Sequence, residues 1–142
     1  MTDEKEKQLT ERFSFLRTSG DPTKDLMVLG FACNDGWFQT IWDLCEDLDK
    51  MNKERMKNIS QDEIAKAILD HGYNPYEFKV VQVKEKFGSL RFYTNVANDK
   101  MYKRIREAED ATTEICEDCG APGSIRNNGW IKCQCDKCFE NK

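Results

Sequence analysis

The chain is poor in histidine: His71 is the only one in 142 residues. That scarcity excludes a His-rich metal cluster. Neither a Cys–His nucleophile nor the zinc-deaminase pattern, His-x-Glu followed by Pro-Cys-x-x-Cys, can be assembled around it. His71 stands at the end of a helical pattern just before Gly72, where a charge–dipole contact or plain exposure accounts for it. Long apolar runs are lacking too, and none approaches the roughly 18 residues of a membrane span. The first residues, Met1-Thr2-Asp3-Glu4-Lys5-Glu6-Lys7, are charged and carry no apolar segment of signal-peptide type. Glycine-rich phosphate loops of the Walker or Rossmann kind are absent, as are repeats and low-complexity linkers. These absences predict a cytoplasmic protein with no membrane partner, built as one core or as a core with a small appended module.

Cysteine, by contrast, is plentiful. Seven cysteines without a secretion signal point to zinc and free thiols in a reducing compartment rather than to disulfides. Cys116-Glu117-Asp118-Cys119 and Cys135-Asp136-Lys137-Cys138 are two Cys-x-x-Cys pairs separated by fifteen residues, which is zinc-site spacing. Between them Asn128-Gly129, flanked by Ser124-Ile125-Arg126 and Trp130-Ile131-Lys132, predicts the hairpin that brings the pairs together. Four thiolates fill a tetrahedral shell and leave no open position for substrate or activated water, so a structural zinc on Cys116, Cys119, Cys135 and Cys138 is expected. Cys133 is then a spare thiol facing the core with its strand neighbours. Cys33 and Cys45, in apolar surroundings, read as core packing.

Charge is unevenly spread along the chain. Residues 1–78 carry 16 acids and 10 bases, a balance of -6; residues 79–106 carry 8 bases and 2 acids, +6; residues 107–142 carry 4 bases and 8 acids, -4. The overall charge of -4 argues against binding long nucleic acid, which needs a broad basic footprint. The acidic C-terminal quarter argues equally against DNA reading by the cysteine hairpin. The basic stretch reads first as a solvated face, and second as a seat for a small anion.

Apolar periodicity supplies the elements. Leu9, Phe13 and Leu16 predict an amphipathic helix over residues 3–18, either docked on the rest or a partly ordered arm. Asn34 or Asp35 is placed to cap a helix carrying Phe38, Ile41, Trp42, Cys45 and Leu48 on one face. Ser60-Gln61-Asp62-Glu63 is a capping box opening a helix with Ile64, Ala67, Ile68 and Leu69, which Gly72 stops. Residues 78–84 and 90–94 flank Lys86-Phe87-Gly88-Ser89 as a β-hairpin, with Leu90 and Phe92 on one face and Arg91 and Tyr93 on the other. Asp99 is read as the cap of a last helix, with Met101, Ile105, Ala108 and Ala111 inward. The expected class is α+β: helices packed on a β-hairpin, with a C-terminal zinc-ribbon-like hairpin. Its expected divisions are an N-terminal helix or arm over 1–24, a core over 25–113 and a zinc module over 114–142.

Three ordered motifs carry a resemblance. Gly30-Phe31-Ala32-Cys33-Asn34-Asp35-Gly36-Trp37-Phe38, Val83-Lys84-Glu85-Lys86-Phe87-Gly88-Ser89-Leu90-Arg91-Phe92-Tyr93, and Cys116-Glu117-Asp118-Cys119-Gly120-Ala121-Pro122-Gly123 with Trp130 and Cys135-Asp136 occur in that order. Together, over roughly residues 29–138, they resemble an uncharacterised family of small proteins common in tailed-phage and prophage genomes. The resemblance implies a phage or prophage origin and a zinc-bearing α+β fold, and it implies no particular activity. Relatives often end the zinc element in Cys-Asp-x-His where this chain has Cys138; a Cys-for-His exchange keeps a tetrahedral zinc.

Outside the cysteines the candidate residues have paired readings. Asp35 and Trp37 read as a helix cap with an aromatic packing behind it, or as a ligand lip with Trp37 as stacking surface. Lys84, Lys86 and Arg91 read as a solvated hairpin face. Alternatively they converge with Arg126, with Tyr93 or Trp130 supplying a π-face, to receive a phosphate or nucleotide. Lys84-Glu85-Lys86 reads equally as a protein-docking edge. The leading expectation is a non-enzymatic, zinc-stabilised binding protein acting on a host or phage protein. The alternative is a phage anti-defence protein that sequesters a nucleotide-type signal. A hydrolase using Asp35, Glu85 and Lys84 ranks last, for no recognisable catalytic spacing supports it.

Overall fold

The spacing of Leu9, Phe13 and Leu16 does build a helix, but a shorter one than the periodicity predicts. The computed structural model describes residues 1–141, and in it helix α1 (Asp3–Arg12) ends before Phe13, followed by a 3-10 turn at Ser14–Leu16. The early stop has a packing cause. Residues two apart on a helix point to nearly opposite sides, yet Phe13 and Phe15 are both buried, with ring contacts to Trp42 and Phe78 respectively. Arg17 secures the break: its guanidinium donates to the Thr10 and Glu11 carbonyls at 2.8 and 3.1 Å, orphan acceptors of the last helical turn. Leu9, Phe13 and Leu16 are each 1% exposed or less, so this segment belongs to the core.

Helix α2 (Phe38–Met56) buries Ile41, Leu44, Cys45 and Leu48, and a 3-10 turn at Asp35–Trp37 leads into it. Neither Asn34 nor Asp35 caps it; both side chains are used elsewhere. Helix α3 (Gln61–His71) has its predicted box, with Ser60 accepting from the Glu63 N–H at 3.1 Å, and its left-handed stop at Gly72. It nevertheless buries no residue, and Leu69 is 86% exposed. Helix α4 (Asp99–Thr112) is capped by Asn98 rather than Asp99, and Thr112 is buried where Ala111 was expected to be.

Strands β1 (Val80–Lys86) and β2 (Ser89–Thr94) form the antiparallel hairpin, pairing Lys84 with Arg91 and Val83 with Phe92. The turn residues Phe87 and Gly88 both have positive φ, 54° and 85°, as a two-residue type I′ turn demands. Burial follows the predicted alternation, with Leu90 and Phe92 inward and Tyr93 outward. Two strands expose two edges, and both are covered. The 26–32 segment covers β1, through Leu26 N–H to the Val81 carbonyl at 2.7 Å and a two-way exchange at Ala32. Along β2, the N–H groups of Leu90 and Phe92 donate to Thr112 Oγ1 and a Glu109 carboxylate oxygen at 2.9 and 3.0 Å. Side chains of α4 thus satisfy an edge that would otherwise template another strand.

The second hairpin, β3 (Ser124–Asn127) and β4 (Ile131–Gln134), pairs Asn127 with Ile131. Its loop therefore holds three residues, with Gly129 at φ 98°, instead of a two-residue Asn-Gly turn. Trp130 leaves the strand in consequence and is 74% exposed. A five-residue helix α5 (Asp136–Glu140) closes the described chain. Among the described residues no helix is long and apolar enough to cross a membrane.

Candidate metal centre

Two tight turns bring the cysteines together. In the first, the Gly120 N–H returns to the Cys116 carbonyl at 2.9 Å, with Gly120 at φ 82°. In the second, Cys135 caps α5 and its sulfur accepts from the Cys138 N–H at 3.4 Å. The β3–β4 hairpin folds one turn onto the other, and all four Sγ atoms lie within 4.8 Å of one another. A thiolate tetrahedron with metal–sulfur bonds of about 2.3 Å has edges of about 3.8 Å; Cys119 and Cys135 are 3.7 Å apart. The four cysteines can therefore hold one metal ion with little movement. Cys133 stands outside the set, buried, with its thiol directed to the Thr113 carbonyl at 3.3 Å.

The thiols of the cluster ionise unequally: hydrogen bonds with Cys135 and Cys119 push Cys138 up to about 12, and against the Ala121 N–H the neighbours Cys135 and Cys116 raise Cys119. Burial pushes the Cys116 thiol up, but backbone hydrogen bonds from Cys135, Cys119 and Asp118 outweigh it and bring it down to about 7. Cys33 is the contrast, since burial drives its thiol up to about 12. Burial likewise holds Cys45 well above the ordinary thiol value. Both remain neutral core residues.

Two acids between the first pair of ligands, Glu117 and Asp118, would repel a thiolate cluster unless they were engaged elsewhere. Asp118 accepts from Asn34 Nδ2, Lys132 Nζ and Gln134 Nε2 at 2.7, 2.7 and 2.6 Å. Burial opposes its ionisation, but these donors hold it below the usual carboxylate range. The Glu117 carboxylate accepts from the Asn34 N–H at 2.9 Å, while burial pushes its pKa above the usual range. The Glu117 carbonyl takes the Gly36 N–H at 2.7 Å. Trp37 closes the same seam, its indole N–H donating to the Ile115 carbonyl at 2.8 Å.

Thus Asn34-Asp35-Gly36-Trp37 is the seat of the first cysteine turn. Gly36 is there for space: a Cβ on it would lie 2.1 Å from the Cys116 carbonyl oxygen. The sequence reading offers Asn34 only as a helix cap and assigns Glu117 and Asp118 no role. The readable signal was the pair of acids between two metal-binding cysteines, which requires donors from elsewhere in the fold.

The other candidate residues scatter. Trp37 is wholly buried, so it offers no stacking face and belongs to the core. Asp35 accepts from the Thr2 N–H at 2.8 Å and borders a cleft with Asn34 and Asp118. Arg126 does not meet the hairpin cations. It donates to the Gln134 carbonyl and to Asp136, and lies over the Phe139 ring, all within the cysteine module. Arg91 turns to the Ser89 hydroxyl at 2.8 Å, and the Lys86 ammonium lies over the Phe87 ring. Lys84 and Tyr93 share a cleft. Trp130 stands exposed at the tip of the second hairpin.

Fold and site define an α+β protein whose C-terminal four-cysteine hairpin is built to hold a metal and is seated on the start of α2. Compared with known proteins, the chain matches no family model, no curated protein and no solved structure.

Proposed function

We propose that this is a non-enzymatic, zinc-stabilised binding protein, phage-encoded and working in the host cytoplasm on a host or phage protein. Zinc is the metal that an all-thiolate, four-coordinate site with Cys-x-x-Cys spacing selects. All four positions are taken by the chain, so the metal stiffens a surface and has no vacancy for a reactant.

The observation that carries the reading is the outward-facing aromatic surface on that stiffened frame. Trp130 is 74% exposed, Ile125 47% and Phe87 63%, and the Phe87–Gly88 turn lies on the second hairpin, with Gly88 in reach of Ile125. Rigid exposed aromatics are the residues that dominate protein interfaces. Lys84 and Lys86, on the strand that leads into Phe87, form no ion pair among the described residues, which leaves their charge to steer an acidic partner.

The experiment has two arms. Native mass spectrometry of protein expressed without added metal should show one zinc. Capture from lysate of the bacterial host should then recover a protein on the wild type that is absent with Phe87→Ala/Trp130→Ala. Identical recovery on both would refute the surface, and protein free of zinc would refute the metal.

A second reading, capture of a nucleotide-type small molecule, draws on one observation: Lys84 and Tyr93 do meet in a cleft.

A further inference from the structure

Beside the β1 bulge lies a cleft of about 600 Å³ that shares no residue with the metal centre. It exists because Val81 is an extra residue between Val80 and Gln82 in the pairing with β2. Such a bulge re-aims the side chains around it. The loop over residues 22–26, which precedes α2 in the chain, supplies the opposite wall and is fixed there by the Leu26 N–H to the Val81 carbonyl at 2.7 Å.

Four kinds of group converge in the cleft. Lys24 and Lys84 are cations, and among the described residues neither forms an ion pair, although Asp21 lies within electrostatic reach of Lys24. Tyr93 presents a ring that is 41% exposed, and Leu26 adds apolar surface. Thr94 also lines the cleft, with its hydroxyl enclosed beneath the surface and without a hydrogen-bond partner among the described residues. One acid is present, Asp25, but its two oxygens are occupied by Thr18, Ser19 and Met27. Against its burial these neutral donors hold Asp25 ionised, and with the two lysines the lining keeps a net charge of +1.

We propose that this cleft is a binding site for a small phosphorylated ligand carrying a planar ring, of the nucleoside mono- or diphosphate class. The proposal rests on the second functional reading and gives it a place. Lys24 and Lys84 take the phosphate as point charges. Tyr93 takes the ring, since every nucleobase has a face that stacks on an aromatic side chain. The volume falls in the range of small-ligand sites.

The test is isothermal titration of the full-length, zinc-loaded protein with ADP, adenosine and pyrophosphate as probes. ADP should bind more tightly than either half alone, because ring and phosphate are held by different groups. Tyr93→Ala and Lys84→Gln should each weaken ADP about tenfold or more. Both side chains project from the outer hairpin face, so the ligand-free melting temperatures should stay close to wild type. Equal ADP affinity in the wild type, Tyr93→Ala and Lys84→Gln overturns this site while leaving the small-molecule reading standing. Failure of every probe to bind at millimolar concentration overturns both.

Discussion

Replacing Gly36 by alanine tests whether the cysteine module and the helical core are one structure. Gly36 does not need a left-handed backbone, so the single methyl acts only through space. That space is already filled, since the new Cβ would lie 2.1 Å from the Cys116 carbonyl oxygen and 2.4 Å from that of Glu117. Both are backbone atoms and cannot swing aside as a side chain would. The cysteine turn must therefore lift by about an ångström. The bonds crossing the seam then lengthen together: Gly36 to Glu117, Asn34 to Glu117 and Asp118, and Trp37 to Ile115.

Overpacking costs about 1–3 kcal/mol and each lost hydrogen bond about 1 kcal/mol net, so with two of the four bonds lost the variant is weaker by about 3–5 kcal/mol. For a domain of this size that lowers the melting temperature by roughly 10–20 °C. The assay is thermal unfolding followed by circular dichroism, with cobalt absorption as the second readout. Cobalt should still show a tetrahedral thiolate spectrum in Gly36→Ala, because the four ligands keep their mutual geometry. Gly129→Ala is the control: a positive φ but nothing within 4 Å, so a loss of only about 1 kcal/mol is expected. A Gly36→Ala protein that melts with the wild type would refute the seam.

Removing the metal with a chelator should unfold β3–β4 and also loosen the main core. Cys133 and Ile115 pack into that core, so the near-ultraviolet signal of buried Trp37 should fall together with the cysteine–metal absorption. Glu109→Ala and Thr112→Val each strip an acceptor from the β2 edge. Each should cost about 1–3 kcal/mol and speed hydrogen exchange at Phe92 or Leu90 respectively.

Asp25 supplies a pH prediction. Burial would raise its pKa, but hydrogen bonds from Ser19, Thr18 and Met27 hold it below the usual value. Its contribution is complete above the unfolded-state pKa of about 3.9, and it is lost as pH falls through the lower folded value. Urea titrations from pH 6 down to 3 should therefore show a smaller loss of stability with acid in Asp25→Asn. At neutral pH that variant should already be weaker by about 1–3 kcal/mol.

What could be read from the sequence was local. Cys-x-x-Cys spacing, the capping box at Ser60, the stop at Gly72 and the alternation through Leu90, Arg91, Phe92 and Tyr93 each act within a few residues, and each is present in the fold. Even α3 forms as its caps dictate, although the rest of the chain buries none of it. Tertiary structure decided everything that joins distant segments. Asn34 meets Glu117 across 83 positions, and that meeting turned a supposed helix cap and stacking surface into the seat of the cysteine module. It also drew Arg126 inward to Asp136, and ended α1 early so that Phe13 and Phe15 could both be buried. Local preferences are set by backbone geometry and short-range hydrogen bonds, and these are written in consecutive residues. A seam depends on shape and unpaired donors in two segments at once, and neither segment shows that need until the chain has folded around both.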